Sequence, residues 1–205
     1  MGKWIAEDLG ALSGRYAHIA RAVESHGVPP FLTHKAELRT LISLIIQQQV
    51  SVGAARSINQ KFDAMFPDAN PDLILSANDA DLRSVGLSGQ KVKYIRDLIQ
   101  HVVDGRLDIA ALKKLDESEI ETKLTAVKGI GRWTAENYML FALQRRNVWP
   151  AHDLALQEGM RKLKKLSERP SAKLMDVLGA RYAPHRSAMA LLGWHLHEGT
   201  KGLIF

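Results

Sequence analysis

The chain has 205 residues, with 28 Lys and Arg against 22 Asp and Glu, a formal charge of +6, and no cysteine. Lack of cysteine excludes disulfides, thiolate zinc sites, catalytic thiols and cysteine-held iron–sulfur clusters. The basic balance suggests an anionic partner such as nucleic acid, though many basic proteins bind none. The opening "MGKWIAEDLGAL" carries charges inside its apolar stretch and does not read as a signal peptide, and no run approaches the roughly 18 apolar residues of a membrane span, so a soluble intracellular protein is the expectation.

Apolar periodicity is helical nearly throughout. Leu38, Leu41, Ile42, Ile45 and Ile46 share one helix face. The glutamines 47–49 interrupt that pattern and read as a loop. Val92, Ile95, Ile99 and Val102 repeat the helical spacing, and Leu112, Leu115, Ile120 and Leu124 follow it more loosely. The stretch from Thr134 to Leu143 has no Gly or Pro and is made of good helix formers. Met189, Leu192 and Leu196 mark a last helix. Breaks fall at "HGVPPF", "FPDANPD", "VGLSGQK", "VDGRLD", "VKGIG", "NVWPAHD" and "ERPS". No alternating strand or Asn-Gly hairpin signal stands out. The expectation is an all-α fold of about eight to ten helices, without repeats or a flexible linker.

Charge concentrates between Thr125 and Arg169, where nine basic residues face four acidic ones. A solvated helix face is the plain explanation. The stretch begins, however, at a glycine pair, "VKGIGRWTAENY". Glycine permits positive φ and close approach of another backbone, and the first amides of the following helix lack internal partners, which makes such a turn an anion site. Three explanations compete: a helical corner, a dinucleotide loop and a clamp on a DNA phosphate. The dinucleotide loop fails, because the preceding "ESEIETKLTAV" reads as a helix and Thr134 stands where a third glycine is needed.

"LTAVKGIGRWTA" followed by "VWPAHDLALQEGM" resembles the helix–hairpin–helix (HhH-GPD) DNA glycosylase superfamily, most closely its alkylation-repair branch, 3-methyladenine DNA glycosylase II. "LRTLISLIIQQQVSVGAARSI", "VGLSGQKVKYIRDL" and "HRSAMALLGWH" are similar to further pieces of that branch, in the same order. The resemblance implies a two-lobed, all-α fold without the β-rich N-terminal lobe of larger relatives. It places one lobe at about 38–145, including the hairpin 125–134, and the other at about 1–37 plus 146–205 of a single domain 1–205. It implies a monomer acting on double-stranded DNA with alkylated bases, in the cytoplasm of a bacterium or the nucleus of a eukaryote, with no membrane, no cofactor and no iron–sulfur cluster.

By the same resemblance Asp153, 22 residues after Gly131, is the catalytic carboxylate. Cleaving an N-glycosidic bond builds positive charge on the sugar, which a fixed carboxylate stabilises while it orients or deprotonates water. A simple N-cap role is the alternative. Trp133 stands where strand-cutting relatives carry a Schiff-base lysine, which implies a monofunctional enzyme. Its indole also offers a π face to a cationic alkylated purine. Trp194 matches a second pocket tryptophan, and Asn137 replaces a pocket tyrosine. The wedge that fills the gap left by the flipped base matches at Gln49, with Gln48, Gln49 or both expected to plug it, and an exposed polar turn is the alternative. Gly129, Gly131, Lys128, Arg132, Thr134, Ser51, Gly86, Ser88 and Lys91 are expected DNA contacts; Lys128 replaces the hairpin proline of most relatives. Main-chain oxygens of Thr125, Val127 and Ile130 match a monovalent-cation site (Na+ or K+). His195 and His197, two apart on a helix, lack zinc-ligand spacing. Two other functions stay open: a glycosylase of the same fold for hypoxanthine, ethenoadenine or oxidised purines, and a non-catalytic DNA-binding module.

Overall fold

The computed structural model describes residues 2–198. Twelve α-helices and no strand occur among them: α1 (Lys3–Arg15), α2 (Ala17–His26), α3 (Leu38–Gln47), α4 (Val52–Met65), α5 (Pro71–Ser76), α6 (Asp79–Ser84), α7 (Gly89–Val103), α8 (Glu117–Thr125), α9 (Arg132–Asn137), α10 (Leu154–Lys164), α11 (Ala172–Ala180) and α12 (Arg186–Glu198). The fold is all-α. No helix among the described residues is long and apolar enough to cross a membrane.

The helix count exceeds the eight to ten expected because α5 and α6 are too short to show a period. Caps define them instead. The Asn70 side chain accepts from the amides of Asp72 and Leu73, with Pro71 at the first helical position, and Asn78 and Asp81 form a reciprocal capping box. The segment 134–143 also departs from a plain helix. α9 ends at Asn137, and Tyr138–Ala142 continues as a π-helical turn in which the Leu143 amide reaches back five residues to the Tyr138 carbonyl (3.1 Å).

The chain forms two compact units. One is Met1–Thr33 with Gln144–Phe205, the other His34–Leu143. In the first unit, Ile5, Leu9 and Leu12 bury one face of α1. α10 and α12 approach each other through Gly159 and Gly193: a Cβ on Gly159 would lie 1.8 Å from the Gly193 carbonyl oxygen. A methyl group at that place is sterically impossible without parting the helices. In the second unit, Leu41, Ile42, Ile45 and Ile46 of α3 are fully buried, as are Ile95, Leu98 and Ile99 of α7 and Ile120 and Leu124 of α8. All but Leu98 lie at positions that the spacing marked out, while Val102, which it also marked, is only half-buried.

Candidate functional site

The glycine pair serves two different purposes. After α8 the Ile130 amide donates to the Val127 carbonyl (3.1 Å), closing a four-residue turn with Gly129 third at φ 85°. That is the pattern of a type II turn, whose third position needs positive φ and whose second accepts proline or, here, Lys128. A Cβ on Gly129 would also meet the Tyr94 ring at 2.2 Å. Gly131 is different. It is extended (φ −88°, ψ 174°), exposed, and an added Cβ would meet nothing within 4 Å. Neither backbone nor packing requires glycine there. It precedes α9, whose opening amides lack intrahelical acceptors.

Two side chains brace the turn. The Lys128 amide donates to Asp97 Oδ2 (2.8 Å), a bond that a proline at 128 would not make. Gln48 Nε2 donates to the Gly129 carbonyl (2.8 Å) and lies 3.4 Å from Thr134 Oγ1. Thr134 is buried, its hydroxyl turned toward Gln48. Lys128 is exposed, while Arg132 pairs with Glu136 (3.0 Å) and lies 3.8 Å from Glu121.

Between α3 and α4, Gln49 is exposed at φ 55°. Ser51 and Ser88 are exposed N-caps, their hydroxyls accepting from the amides of Ala54 and Lys91 (3.3 Å each). Gly86 is exposed at φ 106°. Lys91 sits otherwise than the sequence suggests. It is 8% exposed, and its ammonium donates to the Ile46 carbonyl at the end of α3 (2.7 Å). Burial pulls its pKa below the usual lysine value. Its charge serves the α3 terminus rather than a surface phosphate.

In the other unit Asp153 caps α10, and Oδ1 accepts from the Leu156 amide (2.7 Å) and from the Trp194 indole N–H (2.8 Å). The N-cap alternative is thus present, together with a second donor that capping does not need. Trp194, 3% exposed on α12, follows Gly193, so the close helix crossing brings its ring to the start of α10. The loop leading to Asp153 is held at successive points. Arg146 binds buried Asp8, which also receives His185 Nδ1 (2.7 Å). The Val148 amide donates to Ser187 Oγ (2.9 Å), the Trp149 indole to the Met175 carbonyl (2.8 Å), and the Gln157 side-chain amide to the Ala151 carbonyl (2.8 Å). Asp8, Ser187 and Gln157 carried no signal in the sequence. Gly159 and Gly193 did: glycines inside helical patterns imply a packing reason.

Trp133 is half-buried on α9 and, one turn on, Asn137 is 1% exposed. The Asn137 side-chain amide donates to the Trp133 carbonyl (2.7 Å), while its Oδ1 and the Tyr138 hydroxyl are buried without hydrogen-bond partners. Burial, with Glu37 adding to it, pushes the Tyr138 phenol above its usual range. The carbonyls of Thr125, Val127 and Ile130 are hard oxygen donors of the kind a monovalent cation takes; Val127 O already accepts from the Ile130 amide but retains a second lone pair. Among the described residues no group of three or more His, Asp or Glu side chains is arranged to hold a metal. Much of the basic stretch is engaged internally. Besides Arg132 and Arg146, Arg161 pairs with Glu158, Lys162 lies 3.3 Å from the carbonyls of Leu196 and His197, and Lys164 meets His18.

A profile of the HhH-GPD superfamily of base excision DNA repair proteins matches residues 42–184. Bacillus subtilis YfjP is 26% identical over 183 residues, 85% of this chain; the chain spans 64% of YfjP's length. The DNA-3-methyladenine glycosidase of Bacillus halodurans superposes with a TM-score of 0.83 at 30% identity, covering 93% of this chain and 89% of that one. Schizosaccharomyces pombe 3-methyladenine DNA glycosylase (Mag1), solved in complex with abasic DNA, superposes with a TM-score of 0.82 at 26% identity over 92% and 95% of the two chains. With the hairpin between α8 and α9 and the fold in place, the chain belongs to the HhH-GPD superfamily of base excision DNA repair proteins.

Proposed function

We propose that the protein is a monofunctional DNA glycosylase that flips alkylated purines, 3-methyladenine and 7-methylguanine foremost, out of duplex DNA and hydrolyses their N-glycosidic bonds. The product is an abasic site in an uncut strand. The observation that carries this reading is Asp153, an anion fixed by two N–H donors at a helix start. A carboxylate held in that way loses little freedom as charge develops on the sugar, which is how pre-set electrostatics lowers a barrier. It also orients the attacking water. The names of the similar glycosylases support alkylated bases as substrates.

In this reading Trp133 offers its indole face to the base. A cation over an indole gains up to about 2 kcal/mol when desolvated, of the same order as the few kcal/mol that extruding a base costs. Cationic purines are good leaving groups, so no general acid is needed. Trp133 cannot form a Schiff base, so strand cleavage is not part of the activity. The hairpin grips a phosphate through main-chain amides, and Ser51, Gly86 and Ser88 add contacts from neighbouring turns. The carbonyls of Thr125, Val127 and Ile130 would hold a monovalent cation as a structural ion.

The test is a mass-spectrometric inventory of bases released from methylated DNA by wild type and Asp153→Asn, side by side. The variant is expected to lose at least about a thousandfold in single-turnover rate while binding DNA normally. Full activity in Asp153→Asn sinks the catalytic assignment. A covalent adduct trapped by borohydride sinks the monofunctional one. Release of hypoxanthine or ethenoadenine in preference to methylated purines shifts the substrate assignment to other lesions.

A further inference from the structure

Along one face of α7 run Gln90, Tyr94, Asp97 and His101, spaced as neighbours on a helix surface. The middle two meet the hairpin. The Tyr94 ring fills the space where a Cβ on Gly129 would lie, and Asp97 Oδ2 accepts from the Lys128 amide (2.8 Å). The outer two bond to the middle two: Gln90 donates to the Tyr94 hydroxyl, and His101 Nδ1 donates to the Asp97 carbonyl (2.8 Å). His101 Nε2 accepts from Arg106 (2.8 Å). A carbonyl only accepts and a guanidinium only donates, so the ring that satisfies both is the neutral Nδ1–H tautomer. His101 is then no cation competing for the Asp97 carboxylate. Ile95, Leu98 and Ile99 of the same helix are fully buried, which makes α7 a fixed post.

We propose that Asp97 is a positioning residue for DNA binding, whose carboxylate holds the Lys128 amide and so sets the hairpin as a proline ring at that place would. This rests on the glycosylase reading above, in which the hairpin takes a phosphate through main-chain amides. Proline at the second position of a type II turn fixes φ and has no N–H to satisfy. Lysine there leaves φ free and adds a donor. Amides that swing must be ordered when the phosphate arrives, which weakens binding. The bond to Asp97 removes that freedom and satisfies the donor together. Charge gives Asp97 no other reason to stand there, because a carboxylate beside a phosphate site repels the ligand. Its value lies in the bond it accepts.

The experiment is equilibrium binding of one undamaged DNA duplex at a single salt concentration, with Asp97 varied in three backgrounds. In the otherwise native chain Asp97→Ala is expected to weaken binding about fivefold, as for loss of one charge-assisted hydrogen bond. Asp97→Asn, which keeps an acceptor oxygen and drops the charge, is expected to bind at least as tightly as wild type. Lys128→Ala keeps the amide and removes the ammonium, and there Asp97→Ala should still cost about fivefold. Lys128→Pro removes the amide, and there Asp97→Ala should change affinity by less than about twofold. A merely structural role for Asp97 gives the same loss in all three backgrounds and overturns the proposal. So does an Asp97→Asn protein as weak as Asp97→Ala, or an Asp97→Ala protein that binds like wild type. A wild type that binds no duplex overturns the glycosylase reading as well; one that binds duplex with these differences but releases no base overturns only that reading.

Discussion

The α10–α12 crossing and the hairpin between α8 and α9 both depend on glycine, but in opposite ways. At the crossing, Gly159 is needed because another backbone fills the space where its side chain would be. In the hairpin, Gly129 is needed for its φ and for Tyr94, while Gly131 faces open space. The crossing is protein packed on protein and is complete as it stands. The hairpin is held by a few side-chain hydrogen bonds and ends at a glycine that the protein itself does not require.

That contrast can be broken in order of size. Gly159→Val is expected to cost about 3 kcal/mol or more in urea unfolding, because the Gly193 carbonyl cannot yield without separating two helices; a loss under about 1 kcal/mol rules out a tight crossing. Gly129→Ala is expected to cost about 2 kcal/mol, combining left-handed strain with displacement of the Tyr94 ring. Both should lower the melting temperature, and only the second should weaken duplex binding disproportionately. Trp194→Phe keeps most of the packing but removes the indole donor to Asp153; base release should slow about tenfold in single-turnover assays, with stability changed by less than about 1 kcal/mol. Gly131→Ala is the subtlest. Lower chain entropy and a poorer N-cap oppose each other, so stability should move by less than about 0.5 kcal/mol, while duplex affinity falls several-fold. If affinity is unchanged, no phosphate backbone comes close at Gly131.

Much of this was legible in the sequence where the cause is local. The α3 and α7 faces largely followed from spacing, and Asp153 occupies the cap position weighed for it, whereas Ser51 and Ser88, expected only as DNA contacts, prove to be N-caps as well. What escaped depends on residues distant in the chain. Nothing near Lys91 announces that its ammonium meets Ile46, and nothing near Asp97 announces a partner at Lys128. The glutamines were visible as a loop, but not that one is tied to Gly129 and the other exposed. The π turn at Tyr138–Ala142 escaped for another reason: helix formers specify helix, not which carbonyl each amide selects.

The pairing of Asp8 with Arg146 and His185 has a consequence for how the chain is made. Its partners lie 138 and 177 residues downstream. At ribosomal speeds of about 5–20 residues per second, α1 waits about 7–28 seconds for the first of them. During that interval His34–Leu143 is synthesised in full and has its own core to fold around. The apolar face of α1, with Ile5, Leu9 and Leu12, has meanwhile no α12 to cover it. A nascent chain of this protein thus presents α1 before the helix that packs on it exists, and the exposed α1 face is where a chaperone would be expected to bind before the last helix emerges.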